Sequence, residues 1–191
     1  MQGMEPDAND PKEQINNLVA VTVALLAGFM AISKVKDDNI CQAMEREKAN
    51  ELNAWSYYQS KSIKENLAEL GREQLRGLSH TVSGSAKAQL DAEIARYDQE
   101  IARYSTEKAE IKASAEKLRA TYDNLNKLDD QFDLSDASTS IALGMLAVAA
   151  LTAKRWLLVT SWAIGGLGVV FGLGGFLGWN LRPDWMIKLL S

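Results

Sequence analysis

Proline is nearly missing from this chain. Pro6, Pro11 and Pro183 are the whole complement, so between positions 12 and 182 every residue keeps the backbone N–H that a helix requires, and nothing there forces a break. Cysteine and histidine are reduced to Cys41 and His80. A disulfide within the chain is therefore excluded, the redox compartment cannot be read, and a metal centre of converging histidine and cysteine ligands lacks its ligand set. Basic residues are too few for a nucleic-acid stripe: 21 Lys and Arg stand against 25 Asp and Glu, a net charge of −4, which argues against nucleic acid as a partner. Sequence fingerprints of catalysis are also missing. The glycine-rich run at 165–175 lacks the Lys-Ser/Thr of a phosphate loop and lies inside an apolar stretch.

The most informative absence is local. Residues 18–32 carry no charge, and residues 141–179 carry none except Lys154 and Arg155, whereas residues 37–133 are strongly charged. Apolar residues segregated in this way point to two solvents, lipid and water. The run 156–179, bracketed by tryptophans, is long enough to cross a bilayer. The shorter run 18–32 extends to Ile15 and Val35, with Lys34 and Lys36 able to snorkel. A cleavable signal peptide fits it less well, because the tail before it is acidic (Glu5, Asp7, Asp10, Glu13). A third candidate, 137–153, begins on the weak stretch Ser138-Thr139-Ser140, and Lys154-Arg155 makes a tight polar turn to the last span. Helices are expected in all three, since lipid leaves backbone polar groups no partner outside the segment. The expected fold class is all-α, with three transmembrane helices and a long antiparallel coiled-coil hairpin projecting from the membrane.

Along the chain this gives an N-terminal tail 1–14, transmembrane helix 15–35, soluble helix 36–76, hairpin turn 77–85, soluble heptad helix 86–134, transmembrane helices 137–153 and 156–179, and a C-terminal tail 180–191. The tail either forms a short surface helix around Trp185 and Leu189 or stays unstructured. Orientation is left open. Lys34, Lys36, Arg46, Lys48, Lys127, Arg182 and Lys188 lie near the membrane on the side of the middle segment, against Lys12, Lys154 and Arg155 on the other. The compact Lys-Arg turn is itself a cytoplasmic signal that pulls the other way.

The middle segment carries a seam. Leu90, Tyr97, Tyr104, Ile111, Leu118 and Leu125 recur every seventh residue, as far as Phe132, and Ile94, Ile101, Ala115 and Tyr122 interleave with them. This alternation of three and four marks a coiled coil. Lys108 and Asp129 interrupt it, as polar residues that fix register do. The upstream arm shows a looser stripe of Ile40, Met44, Leu52, Trp55, Ile63, Leu67 and Leu70. The seam is longer than so irregular a partner needs, so further copies of the chain are expected on it. The alternative is a plain bundle lying on its own membrane part.

In the last span Gly165, Gly168, Gly172 and Gly175 fall on one helical face, and Ala20, Ala24 and Gly28 offer a similar strip on the first. Small residues let helices approach closely in lipid; packing within one chain, packing between chains and the lining of a pore all remain open. His80 reads as a solvated turn residue and Cys41 as a small buried or half-buried one. Glu45, Glu47 and Glu51 read as solvated partners of lysine or arginine. No cofactor, metal or catalytic residue is expected, and the spans lack the ionisable residues of proton relays.

Residues 53–64 contain Trp55, Tyr57, Tyr58, Gln59, Lys61, Ser62 and Ile63. This stretch resembles the W-x-Y-Y-Q-x-K-S-I signature of the bacterial family DUF4337, and the apolar run before it and the 151–156 junction also look like that family. The resemblance covers most of the chain. It implies a membrane protein with a helical soluble insert, placed here in the bacterial inner membrane as a multi-pass protein, and implies no activity. For the signature itself, packing on the returning arm or on another copy is the plain reading; a surface for a partner protein or lipid is the sharper one. The expected function is a non-catalytic membrane-anchored scaffold or interaction platform, homo-oligomeric, with lipid and another membrane protein as partners. The alternative is an oligomeric pore or an accessory subunit of a transport complex.

Overall fold

A computed structural model describes residues 11–179 and residue 181, and every regular element among them is helical. Helix α1 runs Pro11–Ser79, α2 Ser85–Thr152 and α3 Arg155–Leu177. Residues 15–35 and 36–76 belong to one continuous helix, and so do 86–134 and 137–153. The scarcity of proline permits this, and the hydroxyls that weaken the start of 137–153 are satisfied without breaking the helix: Thr139 Oγ1 donates to the Ser135 carbonyl at 2.8 Å. The C-terminal tail beyond 181, with its expected surface helix, lies outside the described residues.

Two tight turns join the helices. At the first, α1 continues past Gly77 to Ser79, three residues further than expected, and the chain reverses through 80–84, with Gly84 at φ 67°. That value favours a residue without a Cβ. At the second, Ala153 adopts φ 52° and Lys154 is extended, so α3 starts on Arg155. Helix α3 closes on Gly178 at φ 70°, with the Trp179 N–H bonded to the Gly174 carbonyl at 2.8 Å, a glycine C-terminal cap that satisfies an otherwise orphaned carbonyl.

The chain divides into two units, one reaching Met44 and resuming at Asn124, the other Glu45–Asp123. In the first, α1, the end of α2 and α3 pack around a thin core of Ile15, Val19 and Leu26 from α1, Ala142, Leu146 and Ala149 from α2, and Leu158 from α3. Nearer Asn124, Phe132 meets Phe176 edge to face at 5.3 Å. Outward-facing residues of this unit are also apolar: Val21, Leu25, Ile32, Leu151, Trp156, Val159 and Leu167 are all exposed. All three helices are long and apolar enough to cross a membrane.

In the second unit the two helices run antiparallel. Glu51 lies opposite Arg119, Glu65 opposite Lys108, and Arg72 opposite Asp98. Of the residues named for the α2 seam from Leu90 to Tyr122, Ala115 is fully buried and the others are half-buried. On α1 the looser stripe divides: Ile40 is buried and Met44 and Trp55 are half-buried. Leu52, Ile63, Leu67 and Leu70 point away from α2 into solvent, and the side turned inward carries Glu51, Tyr58, Lys61, Glu65 and Ala68. The exposed part of the stripe is therefore not the face that pairs with α2.

Candidate functional site

Among the described residues, the tightest packing surface is the glycine face of α3. Gly165, Gly168, Gly172 and Gly175 are all buried. A Cβ placed on Gly168 would stand 2.8 Å from Thr139 Cγ2 and 3.0 Å from both the Ser135 carbonyl oxygen and the Thr139 nitrogen. On Gly172 it would stand 2.6 Å from Phe29 Cζ and 2.8 Å from Ser135 Oγ, and on Gly175 it would stand 2.8 Å from the Phe132 ring. On Gly165 it would meet Leu26 and Ala142. The glycine face is thus filled by α1 and α2 of its own chain. Close approach also makes polar links: Ser135 Oγ donates to the Gly168 carbonyl at 2.7 Å and Gln131 Nε2 to the Phe171 carbonyl at 2.9 Å. Further along, Trp162 Nε1 donates to Thr22 Oγ1 at 3.0 Å. Interhelical hydrogen bonds of this kind hold helices together where no hydrophobic drive exists.

The corresponding strip on α1 behaves differently. Ala20, Ala24 and Gly28 are exposed, and a Cβ on Gly28 would meet nothing within 4 Å. The helix turns Ile15, Val19 and Leu26 inward instead. Branched and long side chains fill the space that faces α3's glycines, so large residues on one helix complement small ones on the other.

One cluster escaped the sequence reading. Asp37 and Cys41 on α1 and Asp129 on α2 bring their donor atoms within 4.8 Å of one another. Cys41 Sγ donates to Asp129 Oδ1 at 3.0 Å. Asp37 is buried; its Oδ2 accepts from Lys34 Nζ at 2.7 Å while Oδ1 is buried without a partner. Burial, together with the nearby Asp37 and Asp130 carboxylates, pushes the Asp129 acid up. The hydrogen bond to Asp129, followed by burial, pushes the Cys41 thiol up to about 12, so the thiol is a poor nucleophile at neutral pH. Cys41 itself is exposed rather than buried or half-buried. Lys34 pairs with Asp37 at the edge of the cluster, and the Cys41–Asp129 contact links α1 to α2. Its sequence traces were Asp129 interrupting the heptad and a lone cysteine; their pairing across 88 residues depends on helix register.

In the second unit the residues resembling the family signature divide between two faces. Trp55 and Tyr58 meet edge to face at 5.6 Å. Lys61 pairs with Glu107 at 2.5 Å and lies over the Tyr57 and Tyr104 rings at 5.2 and 5.6 Å. Ser62 is half-buried, whereas Tyr57, Gln59 and Ile63 are exposed. Lys108, which interrupted the heptad, bonds Glu65 and faces the Tyr58 ring at 5.6 Å. The close ion pair with Lys61 holds the Glu107 carboxyl below its ordinary range, and the hydrogen bond from Lys48 does the same for Glu51. Next to Tyr97, Gly71 leaves room for the ring: an added Cβ would stand 3.0 Å from its Cζ. His80 stands exposed in the turn, Glu45 is exposed, and Glu47 is half-buried.

The family model described as a domain of unknown function, DUF4337, matches residues 15–178, and the chain belongs to that family. No curated protein and no solved structure matches it.

Proposed function

We propose that this member of the DUF4337 family is a non-catalytic, homo-oligomeric scaffold of the bacterial inner membrane. The first unit is read as a three-span anchor and the second as an antiparallel coiled coil standing in water. One observation carries the reading. The first unit is apolar on its outside as well as in its thin core, while the second unit, made from the same two helices α1 and α2, holds its pairing together with ion pairs. Water would penalise the first outer surface and lipid the second. Van der Waals contact at the α3 glycines and a few interhelical hydrogen bonds suffice for an anchor in lipid.

The filled glycine face weighs against a glycine-lined pore, since Gly172 is covered by Phe29 and Ser135 of its own chain. A cysteine at Gly172 is expected to resist water-soluble maleimide in intact membranes; ready labelling would restore the pore. The scaffold reading is tested by membrane extraction and by the mass of the full chain in mild detergent. Integral membrane behaviour and a mass of more than one copy are expected. A compact monomer that stays soluble without detergent would overturn the reading.

A further inference from the structure

Leu52, Ile63, Leu67, Leu70 and Leu78 on α1 are 54–61% exposed. Among the described residues of the second unit, the only other exposed large hydrophobic side chain is Tyr57, also on α1; α2 contributes none. The five aliphatics follow a spacing of their own. Leu52 leads to Ile63 after eleven residues, and Leu67 to Leu78 after eleven more. The gaps in the same register are Ser56, Gln59 and Gln74, which are uncharged. Within the densely charged arm this leaves a charge-free face from 52 to 78, about 40 Å long at 1.5 Å per residue. An eleven-residue apolar repeat is the pattern of helices that pair with little or right-handed supercoiling.

We infer that this face is the contact surface between two copies of the chain, which meet α1 against α1 in parallel, in register, about a two-fold axis. The inference rests on the membrane-scaffold reading and specifies the interface it needs. A charged partner has nothing to pair with on an uncharged face, and the matching uncharged helical face of equal length is this one on a second copy. Because only one side of the second unit carries such a face, association closes at two copies. Anchoring in one bilayer gives both copies the same direction, so the arms run parallel. Gln59 then meets Gln59 of the second copy and Gln74 meets Gln74, and such polar layers fix register. A face about 40 Å by roughly 10 Å buries on the order of 800 Å² over both copies, below the roughly 1,200–2,000 Å² of stable soluble complexes. Confinement to a membrane raises the local concentration and offsets the shortfall.

The test uses the full chain in native membranes, with Cys41→Ser as background. Single cysteines at Leu70 and at Gln74 are each expected to form a same-residue disulfide on mild oxidation, and one at exposed Glu110 on α2 is not. An antiparallel pair would instead link Leu52→Cys to Leu78→Cys and Ile63→Cys to Leu67→Cys, and would overturn the stated geometry. A heteropartner on the face would prevent same-residue disulfides and would also overturn it. L67E/L70E changes exposed positions, so helicity should persist while dimer affinity falls at least tenfold. A multimeric mass that survives this double variant, without disulfides at 70 or 74, sinks the interface but leaves the scaffold reading standing. A wild-type monomer at every concentration in lipid sinks both.

Discussion

Gly166 and Gly168 are two residues apart on α3, yet they should respond oppositely to a single methyl group. At Gly166 an added Cβ meets nothing within 4 Å. Alanine there removes the glycine penalty of helices, a gain of up to about 1 kcal/mol. At Gly168 the same propensity gain is opposed by contacts of 2.8 Å to Thr139 Cγ2 and 3.0 Å to backbone atoms of Ser135 and Thr139. Rotamer changes can withdraw the first of these but not the backbone atoms, so α2 and α3 must separate. Overpacking of this kind costs about 1–3 kcal/mol, and separation also stretches the Ser135 bond to the Gly168 carbonyl, a bond contributing about 1 kcal/mol. The net expectation is a loss of about 2 kcal/mol for Gly168→Ala and a separation of about 3 kcal/mol between the two variants. Unfolding in mild detergent by titrated dodecyl sulfate, followed by circular dichroism, measures both. Equal stabilities, or a more stable Gly168→Ala, would refute intrachain packing of the glycine face.

Three further outcomes follow from the polar contacts. Lys108→Ala and Glu65→Ala should each destabilise the second unit and show a coupling energy of about 1 kcal/mol in a double-mutant cycle; strictly additive effects would leave the pair without a role in register. Glu51 and Glu107 have carboxyls held below the ordinary range, so the stability they add is present above that range and is lost as pH falls through their lowered folded values. Acid-induced loosening of the second unit, read by amide hydrogen exchange, should therefore be blunted in Glu107→Gln. Asp129 has the opposite sign. Its folded acid is pushed up, so it weakens the fold as pH rises from the ordinary carboxylate range through the raised value. Asp129→Asn keeps an acceptor for Cys41 and should stabilise the protein at neutral pH, with the gain vanishing in strong acid; a gain independent of pH would point to another cause.

How much was legible follows from what each pattern requires. Helix continuity was readable because it depends on proline, a local property, yet the segment ends at 35, 76 and 134 were drawn where composition changes. Composition reports the solvent around a helix, not its length, so α1 and α2 pass through those points unbroken. The regular recurrence of aromatic and aliphatic residues along α2 is a local pattern, and those residues are half-buried or buried. The facing side of α1 was not legible, because it is polar: Glu51, Lys61 and Glu65 are drawn inward by Arg119, Glu107 and Lys108 on the other helix, partners that no local pattern can supply. The looser stripe on α1 includes Leu52, Ile63, Leu67 and Leu70, which the structure turns outward.

The outward aliphatic face of α1 is accounted for by the proposed contact between copies. A half-buried ion pair repays little more than the cost of desolvating it, whereas four buried aliphatic side chains would each stabilise an intrachain pairing by about 1.5–3 kcal/mol. A sequence shaped only to hold α1 on α2 would turn the aliphatics inward and leave Lys61 and Glu65 to water. Here the inward contacts are specific and individually weak, and the nonspecific, stronger surface remains on the outside of α1. Reversing the two faces, with Glu65→Leu and Lys108→Leu inside and Leu67→Glu and Leu70→Lys outside, should give a second unit at least as resistant to unfolding as the wild type but unable to associate. Should this four-residue variant still associate as tightly as the parent, the aliphatic face has no part in holding copies together, and its exposure is left without a physical reason.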